Sequence, residues 1–209
     1  MRYNYLYYIN EEIKKGNKDK AIEMVWDIVA ILVGESKGEK LWNNGEASVL
    51  ASAILYICFE APEEYYKNLT NVYYFIANMC KSDSEGQMPI TKIMDKLPVN
   101  HPSRGAFAVA ELAPERTRGS FFTSALATLR LFIDTKIADM TSATDVDLNI
   151  IANKKVALFC TIPDEKKTRH VLSTLLIDQL YMNLVEIANQ NGGRLKQRVN
   201  MLIDEFGNL

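Results

Sequence analysis

The residues of this chain whose types and spacing could do chemistry stand at its C-terminal end, in "VNMLIDEFGNL". Met201, Leu202 and Ile203 form an apolar run, and Asp204 and Glu205 follow it directly. Such a run reads as a buried strand carrying carboxylates to the carboxyl edge of a parallel sheet, where α/β proteins bind nucleotides. In that setting Asp204 would hold Mg²⁺, through water, and Glu205 would polarise an attacking water, as in the Walker B strand of nucleotide hydrolases. A buried strand ending in acids for solubility, or to cap the next helix, reads the same way. The chemistry therefore needs a second element, the phosphate loop G-x-x-x-x-G-K-[ST], whose backbone N–H groups cradle phosphate. "GESKGEK", Gly34 to Lys40, has Glu39 where the second glycine belongs, and "GQMPITK", Gly86 to Lys92, has Thr91 there. The sequence contains no phosphate loop, so the chain alone is expected neither to bind ATP tightly nor to hydrolyse it.

Basic residues supply the other candidates. Lys166, Lys167 and Arg169 lie in "KKTRH", which ends at His170, and a second cluster, "RLKQR", runs from Arg194 to Arg198. The two are expected at opposite edges of the sheet. Arg116 and Arg118 lie in "PERTRGS". Clusters of this kind contact phosphate without reading sequence, and they also occur as solvated helix ends. Trp26, Trp42, Tyr65, Tyr66, Tyr73 and Tyr74 could stack on bases. Helical spacing assigns most of them to the core instead. Tyr65 and Tyr66 are adjacent and cannot both face inward, so one is expected to be exposed. His101 and His170 have no paired ligand or nucleophile. Cys58, Cys80 and Cys160 lack metal-ligand spacing and read as buried free thiols of a reducing cytoplasm.

The elements that must position these groups fall into two regions. From about Asn17 to Met140 the pattern is helical. "NKDKAIEMVWDIVAILVGE" places Ile22, Val25, Trp26, Val29 and Leu32 on one stripe, with Asn17 or Asp19 as N-cap and Gly34 as the stop. "EASVLASAILYICFEA" is an apolar helix ended by Pro62. "PEEYYKNLTNVYYFIANMC" reads as one helix with proline at its first position. "MPITKIMDKLP" and "SRGAFAVAELA" are short helices. "PERTRGSFFTSALATLRLFIDTKIADM" is a long one, with Phe122, Leu126, Leu129 and Ile133 inward and Gly119 marking a break or a close contact. Beyond Thr144, "KKVALFCTIP" and "RVNMLIDEF" read as buried strands on either side of the amphipathic helix "TRHVLSTLLIDQLYMNLVEIANQNGG". That order predicts a parallel strand–helix–strand unit. Two such strands do not make a stable sheet, so this third of the chain is expected to be loosely packed, folded against the helices, or paired between chains.

Bulk properties set outer bounds. The chain has 209 residues, 48% hydrophobic and 24% charged, with a net charge of -2. That charge gives no global field to attract nucleic acid or a membrane surface. No apolar stretch approaches the roughly 20 residues of a bilayer span, and the aromatic, charged N-terminus is not a signal peptide. The chain is therefore expected to be soluble and to make no membrane contact of its own.

Taken in order, these features resemble the conjugative coupling proteins of type IV secretion systems, the TraG/TraD-type family. "LIDEFGNL" is similar to that family's "LLDEFGNLG", "YNYLYYI" to its "YNPLDYI" and "LWNNGEASVLASAILYI" to its "FWDDAAEALLTALILYV". "RGSFFTSALATLRLF" is similar to its "KGSIISTALARLSLF". Departures include the missing proline of "YNP", a looser acidic run after Trp42, and no matching motif between Glu60 and Val109. The resemblance implies a mainly α chain: residues 1–16 leaving a motor core, an inserted all-α domain at 17–144, and a partial RecA-like α/β segment at 145–209 ending at Walker B. It places the phosphate loop upstream of Met1. It implies a homo-hexameric, ATP- and Mg²⁺-dependent motor on the cytoplasmic face of the bacterial inner membrane. Such a motor recruits relaxase and other secretion substrates, binds single-stranded DNA and passes the relaxase–DNA complex to the secretion channel components. The helical domain would recognise the substrate. Two other readings stand beside it: a protein-docking module without DNA affinity, which the near-neutral charge favours, and a HerA/FtsK-like DNA translocase, which the large insert disfavours.

Overall fold

A computed structural model of the chain describes residues 1–34, 40–81, 88–161 and 167–204. It divides into two compact units, Arg2–Ala143 and Thr144–Leu209, the latter with Met1. Among the described residues all regular structure is helical.

The first unit is built around one helix. α1 (Tyr7–Lys14) and α2 (Lys18–Val33) precede α3 (Lys40–Glu60), and α4 (Leu69–Met79), α5 (Pro89–Lys96) and α6 (Pro102–Leu112) follow it. The unit closes with α7 (Glu115–Leu129) and α8 (Thr135–Met140). α1, α2, α4, α6 and α7 all pack on α3. The sequence dictates that position. Residues 48 to 55 of α3 are small or aliphatic without a break, and every one is buried. A helix apolar on all sides has no face for water and goes to the centre.

Small residues let α6 approach α3 closely, and serines settle the polar accounts. The Ser48 hydroxyl donates to the Ala106 carbonyl at 2.5 Å and accepts the Ala110 N–H at 3.2 Å. It thereby bridges a peptide pair one turn apart in α6. Ser103 donates to the Ser52 carbonyl at 2.8 Å. Gly45 is buried against the Phe121 ring of α7.

The N-terminal stretch belongs to this unit from Arg2 onward. Tyr3, Tyr5, Leu6, Tyr8 and Ile9 are buried. The Tyr3 N–H donates to the Met140 carbonyl at 2.8 Å, and Asn4 Nδ2 donates to the Lys67 carbonyl at 2.8 Å.

Several helical expectations are corrected by capping. "PEEYYKNLTNVYYFIANMC" is a 3₁₀ turn, Glu64–Tyr66, followed by α4. The Asn68 side chain accepts the Asn71 N–H and starts the helix afresh. The long helix after Pro114 breaks not at Gly119 but in a 3₁₀ turn, Arg130–Ile133, where Asp134 caps α8 by accepting the Lys136 and Ile137 N–H groups. A Cβ at Gly119 would meet open space, so that glycine makes no close contact either. On α2 the buried stripe is Ala21, Val25, Ile28 and Val29, while Trp26 is 41% exposed. The stripe shares Val25 and Val29 with the expected one but is turned by roughly 50°, because the helix rests on its small and β-branched side. Tyr65 and Tyr66 are both exposed. Of the cysteines only Cys58 is buried, and burial pushes its thiol up to about 12. Cys80 is half-buried and Cys160 is exposed.

In the second unit α9 (Ile150–Asn153) is followed by residues 154–161, which have no regular structure, and beyond them come a 3₁₀ turn (Lys167–Arg169), α10 (His170–Gln190) and a second irregular segment to Asp204. The expected strands are absent among the described residues. The parts of "KKVALFCTIP" and "RVNMLIDEF" described here form no ladder. A strand exists only through hydrogen bonds to a neighbour, and no backbone hydrogen bond joins these two segments. Phe159 is 91% exposed and Leu202 95% exposed, although their side chains are of core type. α10 is 21 residues long and contains an 18-residue stretch of mean hydropathy 1.3, long and apolar enough to cross a membrane by length and composition alone. That corrects the expectation that no stretch qualifies. Ser173, Thr174, Asp178, Gln179, Asn183 and Glu186 break up its apolar runs without lowering the mean far enough. Asn183 Nδ2 donates to Asn149 Oδ1 at 2.7 Å, which ties α10 to the start of α9.

Candidate functional site

The candidate carboxylates lie at the end of the second irregular segment. Residues 154–161, residues 197–204 and the Leu176, Ile177 and Leu180 side of α10 surround one cavity of about 1050 Å³. Asp204 sits on its lining, at a turn and exposed to solvent. Glu205 lies outside the described residues. The arrangement delivers one acidic group to the rim of an apolar hollow. No group of three or more metal-ligating side chains occurs among the described residues. One carboxylate without a phosphate loop does not make a Mg²⁺–nucleotide site, so the described residues alone do not form an ATP site.

The basic candidates are scattered. Lys166 lies outside the described residues. Lys167 and Arg169 bound the 3₁₀ turn that leads into α10, with Arg169 half-buried at the N-cap position. His170 follows, and its carbonyl accepts the Ser173 and Thr174 hydroxyls at 2.6 and 3.1 Å. From the second cluster, Arg194, Lys196 and Arg198 are exposed, and Arg198 lines the cavity. Arg116 and Arg118 belong to the other unit. Arg116 is exposed in the first turn of α7, and Arg118 Nη1 donates to the Glu111 carbonyl at 3.3 Å. Arg118 thus satisfies the end of α6, a structural task.

Two features of the helical unit carry no motif. His101 caps α6: its Nδ1 accepts the Ser103 N–H at 3.2 Å, and its Nε2 faces Glu60 Oε1 at 3.1 Å. The Nδ1 acceptor role fixes the proton on Nε2, which then donates to Glu60. The proline after His101 was the available signal, since proline favours the first helical position. The second feature is the exposed pair Tyr65 and Tyr66, with ring centroids 3.9 Å apart.

No curated protein and no solved structure matches the chain significantly. The model of one protein family, type IV secretory system conjugative DNA transfer, matches residues 1–209. The match covers the chain from end to end, and the chain belongs to the conjugative DNA transfer family of type IV secretion systems.

Proposed function

We propose that the chain is part of an ATP-driven coupling protein that recruits relaxase–DNA complexes and passes them to the secretion channel. The observation that supports this most is the family match over all 209 residues. In this reading the helical unit recognises the protein substrate. Residues 145–209 belong to a RecA-like core, completed by strands that pair with 154–161 and 197–204. Asp204 and Glu205 are its Walker B pair, and the assembled motor is a hexamer at the cytoplasmic face of the inner membrane. Mg²⁺–ATP supplies the driving hydrolysis once a phosphate loop is present. Within this chain Asp204 would hold a metal-bound water, and Glu205 would orient the attacking one.

The net charge of -2 favours protein over DNA as the direct ligand of the chain. Two measurements test the reading. Purified relaxase from the same element is titrated into the chain by calorimetry, and saturable binding is expected. Fluorescence anisotropy with labelled oligothymidylate at low and moderate salt is expected to show weak binding at most. Strong, salt-sensitive DNA binding without relaxase binding would replace substrate docking by a direct DNA role. In the intact motor, Asp204→Asn and Glu205→Gln are each expected to lower ATP turnover by about 100-fold or more while leaving relaxase binding unchanged.

A further inference from the structure

The turn between α3 and α4 holds two tyrosines in the open. Tyr65 is 58% exposed and Tyr66 40% exposed, with their rings tilted at 37°. Exposed tyrosines on a mobile loop would mean little, but this turn is tied at each carbonyl. Asn68 Nδ2 donates to the Tyr65 carbonyl at 2.8 Å, Asn71 Nδ2 to the Tyr66 carbonyl at 3.0 Å, and Asn4 Nδ2 to the Lys67 carbonyl at 2.8 Å. The Tyr66 and Lys67 N–H groups close the 3₁₀ turn onto Glu63 and Glu64. The backbone that carries the two aromatic side chains is thus held in place, with little further ordering entropy of its own to lose on binding.

Charge selects the ligand. Lys14 and Lys67 both pair with Glu64, at 3.4 and 3.7 Å, and Lys14 also pairs with Glu11 at 2.8 Å. The nearby cations are therefore occupied. Glu63 has no ion-pair partner among the described residues. It is exposed and lies two residues before Tyr65, whose phenol is pushed up to about 12, first by the hydrogen bond to Tyr66. What remains on this surface is an exposed carboxylate at the start of a turn that carries two exposed π-faces, both attractive to a cation. Nucleic acid would place phosphate beside Glu63. A guanidinium stacks on tyrosine and pairs with a carboxylate in the same plane.

We infer that Tyr65, Tyr66 and Glu63 form a docking site for an arginine-bearing segment of a protein partner. The inference rests on the reading of the helical unit as the recruiting module. The probe is a fluorescein-labelled Arg-Gly-Gly repeat peptide, titrated into the full chain by anisotropy, with Lys-Gly-Gly and oligothymidylate controls. The arginine peptide is expected to bind, and the lysine peptide to bind more weakly. Tyr65→Ala/Tyr66→Ala weakens the arginine peptide by about tenfold, and Glu63→Gln by about threefold. Tyr65→Leu/Tyr66→Leu, which keeps the apolar bulk, weakens it as the alanine pair does. No binding of the arginine peptide, retention of affinity in the leucine pair, or oligothymidylate binding lost in the alanine pair each overturns the site. Relaxase binding that survives in the alanine pair overturns the site and leaves recruitment standing. Peptide binding with the expected variant pattern, but no relaxase binding, supports the site and overturns recruitment.

Discussion

At Gly45 a Cβ would lie 2.3 Å from the Phe121 ring, and the ring is part of the packed core. The backbone of α3 and the ring of α7 touch there because nothing stands between them. Gly45→Ala is expected to cost about 1–3 kcal/mol, against a helix propensity that alone would favour alanine. Gly119→Ala on α7 has open space and is expected to stabilise by about 0.5–1 kcal/mol. Urea denaturation of both variants reads the opposite signs. Glu12 argues a second residue-scale case. Burial raises its pKa, but hydrogen bonds from Lys15 and Asn17, then the charges of Lys20 and Lys15, outweigh it, and the net shift is downward. A carboxyl held lower in the folded chain adds stability above its unfolded pKa, and that stability drains away as pH falls through the folded value. Glu12→Gln is expected to lose about 1 kcal/mol at neutral pH, with the difference from the parent shrinking below pH 4 or so. Urea midpoints measured across that range would show it, and a pH-independent difference would remove the linkage.

At the scale of elements, helix boundaries are set by side chains that offer the backbone an alternative. Asn68 accepts the Asn71 N–H at 3.0 Å and donates to the Tyr65 carbonyl, so it both starts α4 and holds the tyrosine turn. Asn68→Ala is expected to cost about 1 kcal/mol by thermal melting and to loosen the turn, which amide exchange at Tyr66 and Lys67 would report. Pro89 marked the start of α5 within the expected short helix, and Pro102, which the expected "SRGAFAVAELA" left out, starts α6 in the same way, because a proline at the helix start is a local preference. The boundaries at Asn68 and Asp134 were readable only in part. Asparagine and aspartate are common inside helical patterns, and capping depends on whether the preceding residues find another partner. Tyr65 found Asn68 and Asn71, and no periodicity contains that fact.

For the whole molecule the contrast lies between the two units, each taken by itself. Residues 48 to 55 of α3 are buried throughout, so their amides are expected to exchange only on global unfolding. Residues 155–161 and 198–204 have no ladder and are expected to exchange near the rates of an open chain. Exchange read by mass spectrometry checks both. Slow exchange in the two segments of the isolated chain would mean that they pair with each other after all.

The sequence by itself determined where helices begin to be possible, which helix must be central, and where the candidate acids stand along the chain. Periodicity, proline and uninterrupted apolar runs are local properties, and a reader of residues can count them. The family too was legible, since "LIDEFGNL" and its companions are strings of residues. Only the tertiary structure decided the rest. It turned Trp26 outward and Ala21 inward, because packing chooses the side of a helix that fits its neighbour. It placed the tight contact at Gly45 rather than Gly119. It left "KKVALFC" and "VNMLI" without strands, because a strand is a relation between segments: an apolar run supplies one side of a ladder, and its hydrogen bonds must come from another.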